Sequence, residues 1–280
     1  MSERDFKKAA VIGWPLTHTL SPVIHNHWMA KYGISGCYEK RPVAPDSIGD
    51  ALAAMKAEGL VGFNITVPHK EAIIPHLDKL APLARLMGAV NTVKIEPDGK
   101  TTGFNTDGIG LMANLQQNLP SWPKDRPAMV IGAGGAARAA ALGLLNENLP
   151  FVVITNRTRE KAEVIAKEIG RGRMVVVDWK ERNDVALTAG LIVNTTVLGM
   201  HGNDPLELDI SKCAKDTVVY DIVYQPLVTP LLKDAEAHGL RTVTGLGMLV
   251  YQAAAAFKVW FDIMPEYDDE LRERLEAVFR

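Results

Sequence analysis

Cysteine is nearly absent. The 280 residues contain two, Cys37 and Cys213, far apart and in no CxxC or Cys/His cluster. That argues against a disulfide scaffold or a structural zinc site and makes a reducing, cytoplasmic setting the expectation. An excess of one charge is also lacking. Lys+Arg number 31 against 33 Asp+Glu, a formal net charge of −2, whereas nucleic-acid binders carry a basic excess on one face. No run approaches the roughly 18 apolar residues of a membrane span. The charged stretch Met1 to Lys8 has no apolar h-region, so no secretory signal is expected. There is no internal repeat, no Gly-x-Ser-x-Gly elbow and no recognisable cysteine nucleophile motif. His18, His25 and His27 are close in sequence, but residues two apart on a helix face different ways. His69 and His76 are isolated, and no metal site is expected.

A composition of 47% hydrophobic and 23% charged residues is that of a folded globular chain. At about 150 residues per domain the length suggests two domains. Short β-branched apolar runs alternate with longer amphipathic or Ala-rich ones, the pattern of an α/β protein. Strands are expected at Ala9–Gly13, Cys37–Val43 and Val61–Thr66, with a hairpin of Val90–Ile95 and Lys100–Phe104 around Pro97-Asp98-Gly99. Ser21 is placed to cap a helix that Pro22 opens and Gly33 stops. A helix is expected from Asp46 to Glu58, and another opens at Pro68. A helix over Gly108–Gln117 leads to the proline-containing connector Asn118–Pro127. Beyond it, Met129–Gly132, Phe151–Thr155, Met174–Val177, Leu191–Asn194, Val218–Ile222 and Thr242–Thr244 read as parallel strands. They alternate with helices at Gly134–Asn146, Arg159–Ile169 and Thr229–His238. Gly247–Phe261 and Asp268–Phe279 are expected as closing helices.

Val130 to Ala137 is a strand running into G-x-G-x-x-(G/A). Gly132 permits the tight turn, Gly134 lets backbone approach a pyrophosphate, and Ala137 allows close helix–strand packing. Free N–H groups at the helix start favour phosphates. An NAD site carries Asp or Glu at the end of the next strand. Here that strand ends in Asn156-Arg157-Thr158, with Arg159 and Lys161 beyond, and no carboxylate. Cationic donors suit a 2′-phosphate, and Arg157 offers a planar fork, so the nucleotide expected is NADP.

Polar residues also interrupt the first half. Asn64 and Thr66 alternate at the end of a buried strand, and Lys70 follows in the first turn of a helix. A cation there is disfavoured by the helix, and desolvation would bring it into range for proton exchange. The same Lys also reads as an ordinary exposed helix residue. Asn91-Thr92 and Asn105-Thr106-Asp107-Gly108 flank the hairpin. Asp107 either caps the next helix or faces a ligand, and the residues alone leave both open.

Nine ordered blocks resemble the shikimate dehydrogenase family. They are Gly13-Trp14-Pro15-Leu16-Thr17-His18-Thr19-Leu20-Ser21-Pro22-Val23-Ile24-His25-Asn26, Asn64-Ile65-Thr66-Val67-Pro68-His69-Lys70, Gly88-Ala89-Val90-Asn91-Thr92, Gly103-Phe104-Asn105-Thr106-Asp107-Gly108, Gly132-Ala133-Gly134-Gly135-Ala136-Ala137-Arg138, Asn156-Arg157-Thr158, Asn194-Thr195-Thr196, Asp221-Ile222-Val223-Tyr224 and Gly245 to Ala253. The resemblance implies an N-terminal α/β substrate domain over residues 1–106, joined by the C-terminal helices 246–280. It implies a Rossmann-like NADP-binding domain over 107–245, with the active site in the cleft between them. It implies an oxidoreductase that uses NADPH to reduce 3-dehydroshikimate to shikimate, reversibly, in aromatic amino-acid (chorismate) biosynthesis.

By the same resemblance Lys70 and Asp107 are the catalytic pair. Thr19 and Ser21 take the substrate carboxylate. Asn64, Thr66, Asn91 and Gln252 take ring hydroxyls or position the pair, and Tyr224 closes the substrate side. Gly132, Ala133, Gly134, Gly135, Ala136, Asn156, Arg157, Thr158, Lys161, Thr195 and Met248 line the cofactor. Thr19 stands where the family usually has Ser, and Tyr251 where His is frequent beside Gln252. A quinate or quinate/shikimate dehydrogenase is therefore the nearest alternative, and a non-catalytic nucleotide-sensing module the second. The expected partner is a small-molecule substrate, with a monomer or homodimer and neither nucleic acid nor membrane.

Overall fold

The computed structural model describes residues 6–16 and 19–279. His18 and the first five residues of the charged N-terminus lie outside the described residues. The chain separates into two units. One holds the chain up to Thr106 together with Gln252–Val278, and the other holds Asp107–Tyr251.

The first unit begins with β1 (Lys7–Gly13), α1 (Ser21–Lys31), β2 (Gly36–Pro42), α2 (Ile48–Ala57), β3 (Leu60–Ile65) and α3 (His69–Ala72). It continues with β4 (Lys79–Leu80), α4 (Pro82–Met87), β5 (Thr92–Ile95) and β6 (Thr101–Phe104). The strands form one mixed sheet in the order β2-β1-β3-β5-β6-β4. Strands β1, β2 and β3 run parallel, while β3–β5 and β5–β6 are antiparallel. The turn between β5 and β6 closes where expected, with the Gly99 N–H donating to the Glu96 carbonyl at 2.8 Å. One face of the sheet buries Ile12, Phe63, Ile65 and Val93 against Leu52 and Met55 of α2.

Several expectations for this unit shift. Helix α1 starts at Ser21 itself, so Ser21 is its first residue and not its cap. Thr19 Oγ1 instead accepts the Ser21 N–H at 3.2 Å. The helix expected over Asp46–Glu58 begins as a tight 3-10 turn, Pro45–Ser47, before α2. Thr66 falls just past β3. Helix α3 is one turn of four residues. It has almost no macrodipole, so the argument that a helix end perturbs Lys70 does not apply. Elements as short as β4 and α4 leave no periodicity to read in the sequence, and tertiary bonds fix them. Asp78 Oδ2, for example, accepts the Thr101 N–H and hydroxyl at 2.8 Å each.

The second unit holds α5 (Asp107–Asn118), β7 (Ala128–Ile131), α6 (Gly135–Leu145), β8 (Val152–Thr155), α7 (Arg159–Ile169) and β9 (Met174–Val177). After α8 (Arg182–Ala186) come β10 (Leu191–Asn194), β11 (Val218–Asp221), α9 (Pro230–Ala237), β12 (Arg241–Val243) and the start of α10 (Leu246–Phe261). The six strands are parallel in the order β12-β11-β10-β7-β8-β9. Every residue of β7, β8, β10 and β11 is buried, as helices covering both faces of a parallel sheet require. The division between the units falls inside α10, between Tyr251 and Gln252. Helix α11 (Asp269–Glu276) is capped by Asp268, whose carboxylate accepts the Leu271 N–H at 2.8 Å, and ends in a 3-10 turn.

In the first unit α10 and α1 supply an aromatic cluster on the other face of the sheet. Trp260 Nε1 donates to the Val93 carbonyl at 2.9 Å, and Trp28 Nε1 to the Glu266 carbonyl at 2.8 Å. Gly62 makes the first bond achievable, because a Cβ there would lie 2.2 Å from Trp260 Nε1. His25 sits inside this cluster, stacked on Tyr38 at 4.2 Å and tilted against Trp260 at 5.3 Å. His27 faces away and meets Asp268 at 3.2 Å.

Burial lowers the His25 pKa from 6.5 to about 3, and nearby Asn64 offsets only part of that. Neither ring nitrogen has a partner of ordinary hydrogen-bond geometry. Below pH 6.5 the unfolded chain therefore takes up a proton that the folded chain refuses until about pH 3. Stability falls as pH drops through that window, by about 2 kcal/mol between pH 7.5 and 5 from this group. Urea denaturation at both pH values should show that loss in the wild type and a smaller one in His25→Phe, which keeps a ring in the stack. Equal losses would mean that another group carries the acid sensitivity.

Candidate active site

In the first unit the polar residues gather where strands end. Strands β1 and β3 are parallel neighbours, and the Thr66 N–H donates to the Ile12 carbonyl at 2.9 Å. The segments after them, carrying Thr19 and Ser21 in one case and Thr66 and Lys70 in the other, thus leave the same sheet edge. Thr19 Oγ1 lies 3.1 Å from Ser21 Oγ, which places the two hydroxyls side by side. Lys70 is half-buried on α3, and its backbone carbonyl accepts the Val90 N–H at 2.8 Å.

Asn64, Asn91 and Gln252 belong to one buried chain of amides and hydroxyls. Asn64 Nδ2 donates to Thr92 Oγ1 at 3.0 Å, and the Thr92 hydroxyl donates to Asn91 Oδ1 at 3.0 Å. Asn91 Nδ2 donates to Thr106 Oγ1 at 2.9 Å and to Gln252 Oε1 at 3.3 Å. Tyr38 adds a link the sequence reading missed, its phenol donating to Asn64 Oδ1 at 2.7 Å. Burial holds that phenol well above its ordinary pKa, so it stays a donor. Tyr38 is the one fully buried side chain of strand β2, which no local pattern in the sequence marks. Asn26 clamps it, accepting from the Tyr38 N–H and donating to the Tyr38 carbonyl, both at 2.9 Å.

In the second unit the strand order reverses between β7 and β10, where ligands of open parallel sheets bind. Gly132 follows β7, Thr195 follows β10, and Asn156-Arg157-Thr158 follows β8, all at one sheet edge. Gly132 adopts φ +117°, and a Cβ there would lie 2.6 Å from Thr195 Oγ1. The Thr195 hydroxyl donates to the Ile131 carbonyl at 2.6 Å, which locks the two segments together. Gly134 precedes α6 with no side-chain cap. No atom would lie within 4 Å of a Cβ on Gly134 or Gly135. Open space therefore lies beside the first residues of α6, where the unsatisfied N–H groups of a helix start collect, a setting that suits a pyrophosphate.

Around the second strand the structure corrects one expectation. Arg159 does not contribute free charge. Its guanidinium bonds Glu163 Oε1 at 2.8 Å and Asp178 Oδ1 at 3.1 Å. Arg157 and Lys161 are exposed and, among the described residues, make no side-chain hydrogen bond or ion pair. Asn156 folds back on the turn, its Nδ2 donating to the Thr158 carbonyl at 2.8 Å. Tyr224 follows β11 half-buried, and burial raises its pKa. Met248 is buried on α10. Asp107 is the first residue of α5 and is buried. Among the described residues, no group of His, Cys, Asp and Glu is arranged to hold a metal, and no helix is long and apolar enough to cross a membrane.

Two glycine variants separate fold from binding. Gly132→Ala meets a left-handed backbone and the Thr195 hydroxyl, and should destabilise the protein by about 2 kcal/mol or more. Gly134→Ala should melt like the wild type but bind NADP+ at least about tenfold more weakly, because its methyl fills the phosphate approach. Calorimetric titration and thermal melts check both. Unchanged affinity in Gly134→Ala would remove the phosphate site from this turn.

Three family models match stretches of the chain. Residues 11–93 match the shikimate dehydrogenase substrate binding domain, residues 114–201 the shikimate/quinate 5-dehydrogenase model, and residues 245–269 the shikimate 5′-dehydrogenase C-terminal domain. The shikimate dehydrogenase (NADP(+)) of Paracoccus denitrificans is 46% identical over 270 residues, covering 96% of this chain and 95% of its own. A crystal structure of a shikimate dehydrogenase in complex with NADP+ aligns with a TM-score of 0.91 at 38% identity, over 100% of this chain and 98% of the other. The Thermus thermophilus enzyme in complex with NADP(H) and shikimate aligns with a TM-score of 0.86 at 34% identity, over 98% of this chain and 100% of the other. On the strength of these matches along the chain, it belongs to the shikimate dehydrogenase family.

Proposed function

We propose that the protein is an NADP-dependent shikimate dehydrogenase that reduces 3-dehydroshikimate to shikimate, reversibly, in aromatic amino-acid biosynthesis. The observation that carries the reading is the buried amide and hydroxyl chain of Asn64, Thr92, Asn91, Thr106 and Gln252. Such groups suit a polyhydroxylated ring, and a site built on them rejects analogues that lack a hydroxyl. The open glycine turn and the unpaired Arg157 and Lys161 fit a phosphorylated dinucleotide with a 2′-phosphate.

When bound, the reduced nicotinamide supplies the hydride. This chain's residues do the rest. Arg157 and Lys161 hold the 2′-phosphate, with Asn156 and Thr158 shaping their turn. Gly132 shapes the turn, its N–H donating to the Thr155 carbonyl at 2.8 Å, and Ala133, Gly134, Gly135 and Ala136 receive the pyrophosphate on backbone N–H groups. Thr195 and Met248 border the nicotinamide. Thr19 and Ser21 bind the substrate carboxylate, and Asn64, Thr66, Asn91 and Gln252 hold the ring hydroxyls, with Tyr224 closing the substrate side. The ketone oxygen gains negative charge as it is reduced and needs a proton and a cation. Lys70 provides both, and Asp107 is the second member of the proposed catalytic pair. The scarcity of cysteine supports a cytoplasmic setting, and the expected assembly is a monomer or homodimer.

The test is initial rates by nicotinamide absorbance, with shikimate and quinate each offered NADP+ and NAD+. Shikimate with NADP+ should be the fast pair, and faster quinate or a preference for NAD+ would overturn the assignment. Lys70→Ala should lose turnover by at least about a thousandfold while NADP+ affinity changes little. Comparable loss of both would remove Lys70 from the chemistry.

A further inference from the structure

Asp221 is fully buried at the C-terminal end of β11, where a carboxylate persists only if donors surround it. Three do. Its Oδ1 accepts from Asn194 Nδ2 and from the Val223 N–H, both at 3.0 Å, and its Oδ2 accepts from the Thr229 hydroxyl at 2.7 Å. Burial pushes its pKa up and these three bonds pull it back. Each donor belongs to a different segment. Thr229 caps α9 by accepting the Leu232 N–H. Val223 immediately precedes Tyr224. Asn194 organises the loop after β10, its Oδ1 accepting from the Thr196 N–H at 3.0 Å and hydroxyl at 2.7 Å, and its Nδ2 donating to the Leu198 carbonyl at 3.1 Å. That loop begins at Thr195, which is held to Ile131 and pressed against Gly132. The two loops are also joined to each other, the His201 N–H donating to the Gln225 carbonyl at 2.9 Å.

We infer that Asp221 is a positioning residue for the reaction: it sets Tyr224 through the Val223 N–H and Thr195 through Asn194, so one buried carboxylate aligns a substrate-side and a cofactor-side group. The inference rests on the reading above, in which Tyr224 and Thr195 face the ligands. A merely structural carboxylate would affect melting and nothing else. A positioning one changes KM and kcat, because a small displacement of groups that hold the reactants costs turnover even when it originates away from the chemistry.

The experiment measures kcat and both KM values for the wild type, Asp221→Ala, Asp221→Asn, Asn194→Ala, Tyr224→Phe and the Asp221→Ala/Tyr224→Phe double variant, with melting temperatures alongside. Asp221→Ala should raise the shikimate and NADP+ KM values about tenfold. Asp221→Asn retains an acceptor for Asn194 and Val223 and should recover most of that. Asn194→Ala leaves the Val223 tie intact and should raise the NADP+ KM alone. Tyr224→Phe should add little to the shikimate KM effect of Asp221→Ala, since residues acting through one another are non-additive. A lowered melting temperature with kcat and KM values within twofold of wild type would overturn the inference, and so would independent, multiplicative effects in the double variant. If Asp221→Ala does not fold, Asn194→Ala decides, and an unchanged NADP+ KM there overturns it. A wild type silent with shikimate and NADP+ removes the reading above, and this inference with it.

Discussion

Asn91 is 2% exposed, and its polar atoms are committed to neighbours. Its N–H donates to the Phe104 carbonyl at 3.0 Å, and its carbonyl accepts the Ile65 N–H at 2.8 Å and Asn64 Nδ2 at 3.2 Å. Its side-chain oxygen accepts the Thr106 N–H at 2.8 Å, and its amide nitrogen reaches Thr106 and Gln252. One residue thus ties together the ends of β3 and β6, the start of β5 and a turn of α10. Leaving a buried amide short of a bond costs about 1–3 kcal/mol. The neighbours of Asn91 are therefore not independent choices. Thr92, Thr106 and Gln252 must present oxygens, and Asn64 a nitrogen, for the strand ends to meet at all. The same polar groups proposed to read ring hydroxyls are the ones that close the sheet.

The second unit meets the opposite demand. A pyrophosphate is read by backbone N–H groups, so the sequence must take side chains away. Gly132 is needed where the Thr195 hydroxyl comes close, and Gly134 and Gly135 leave open space above the start of α6. Side chains return one strand over, where charge is wanted. The fold supplies both places from one edge, because β7, β8, β10 and β11 are parallel and all end there. Burial on both faces keeps those strands apolar, which pushes nearly all polar chemistry into the loops that follow them.

These two strategies were unequally legible in sequence. The glycine turn, the parallel strands of the second unit and the Pro97-Asp98-Gly99 hairpin were readable, because each rests on local backbone geometry and strict periodicity. Elements β4, α4 and α8 were not, since two to six residues hold no period. Ser21 was misread as a cap because a Ser-Pro pair carries that signature wherever the helix begins, whereas here Thr19 accepts the bond. Tyr38 was missed because its value to Asn64 comes from pairing β2 with β1 and from the clamp of Asn26, both long-range facts.

The two arginines after β8 show why pattern alone stops short of the site. Arg157 and Arg159 are chemically identical, two positions apart and both near the start of α7. Sequence reasoning gave both to an incoming phosphate. Their fates differ through partners that no local window contains. Asp178 lies beyond the end of β9, and only the pairing of β8 with β9 brings its carboxylate to Arg159. Glu163, one turn along α7, takes the other side of that guanidinium. Arg159 is thereby neutralised, and it stiffens the helix start without competing for an anion. Arg157, on the exposed turn, keeps its full charge and its planar fork, with Lys161 on the first turn of α7. On the proposed role of Arg157, preference for a phosphorylated ribose depends on one arginine being left unpaired as much as on its being present. A carboxylate able to reach Arg157 would abolish that preference without touching the glycine turn, because it would satisfy the fork internally and leave the 2′-phosphate without a counter-charge.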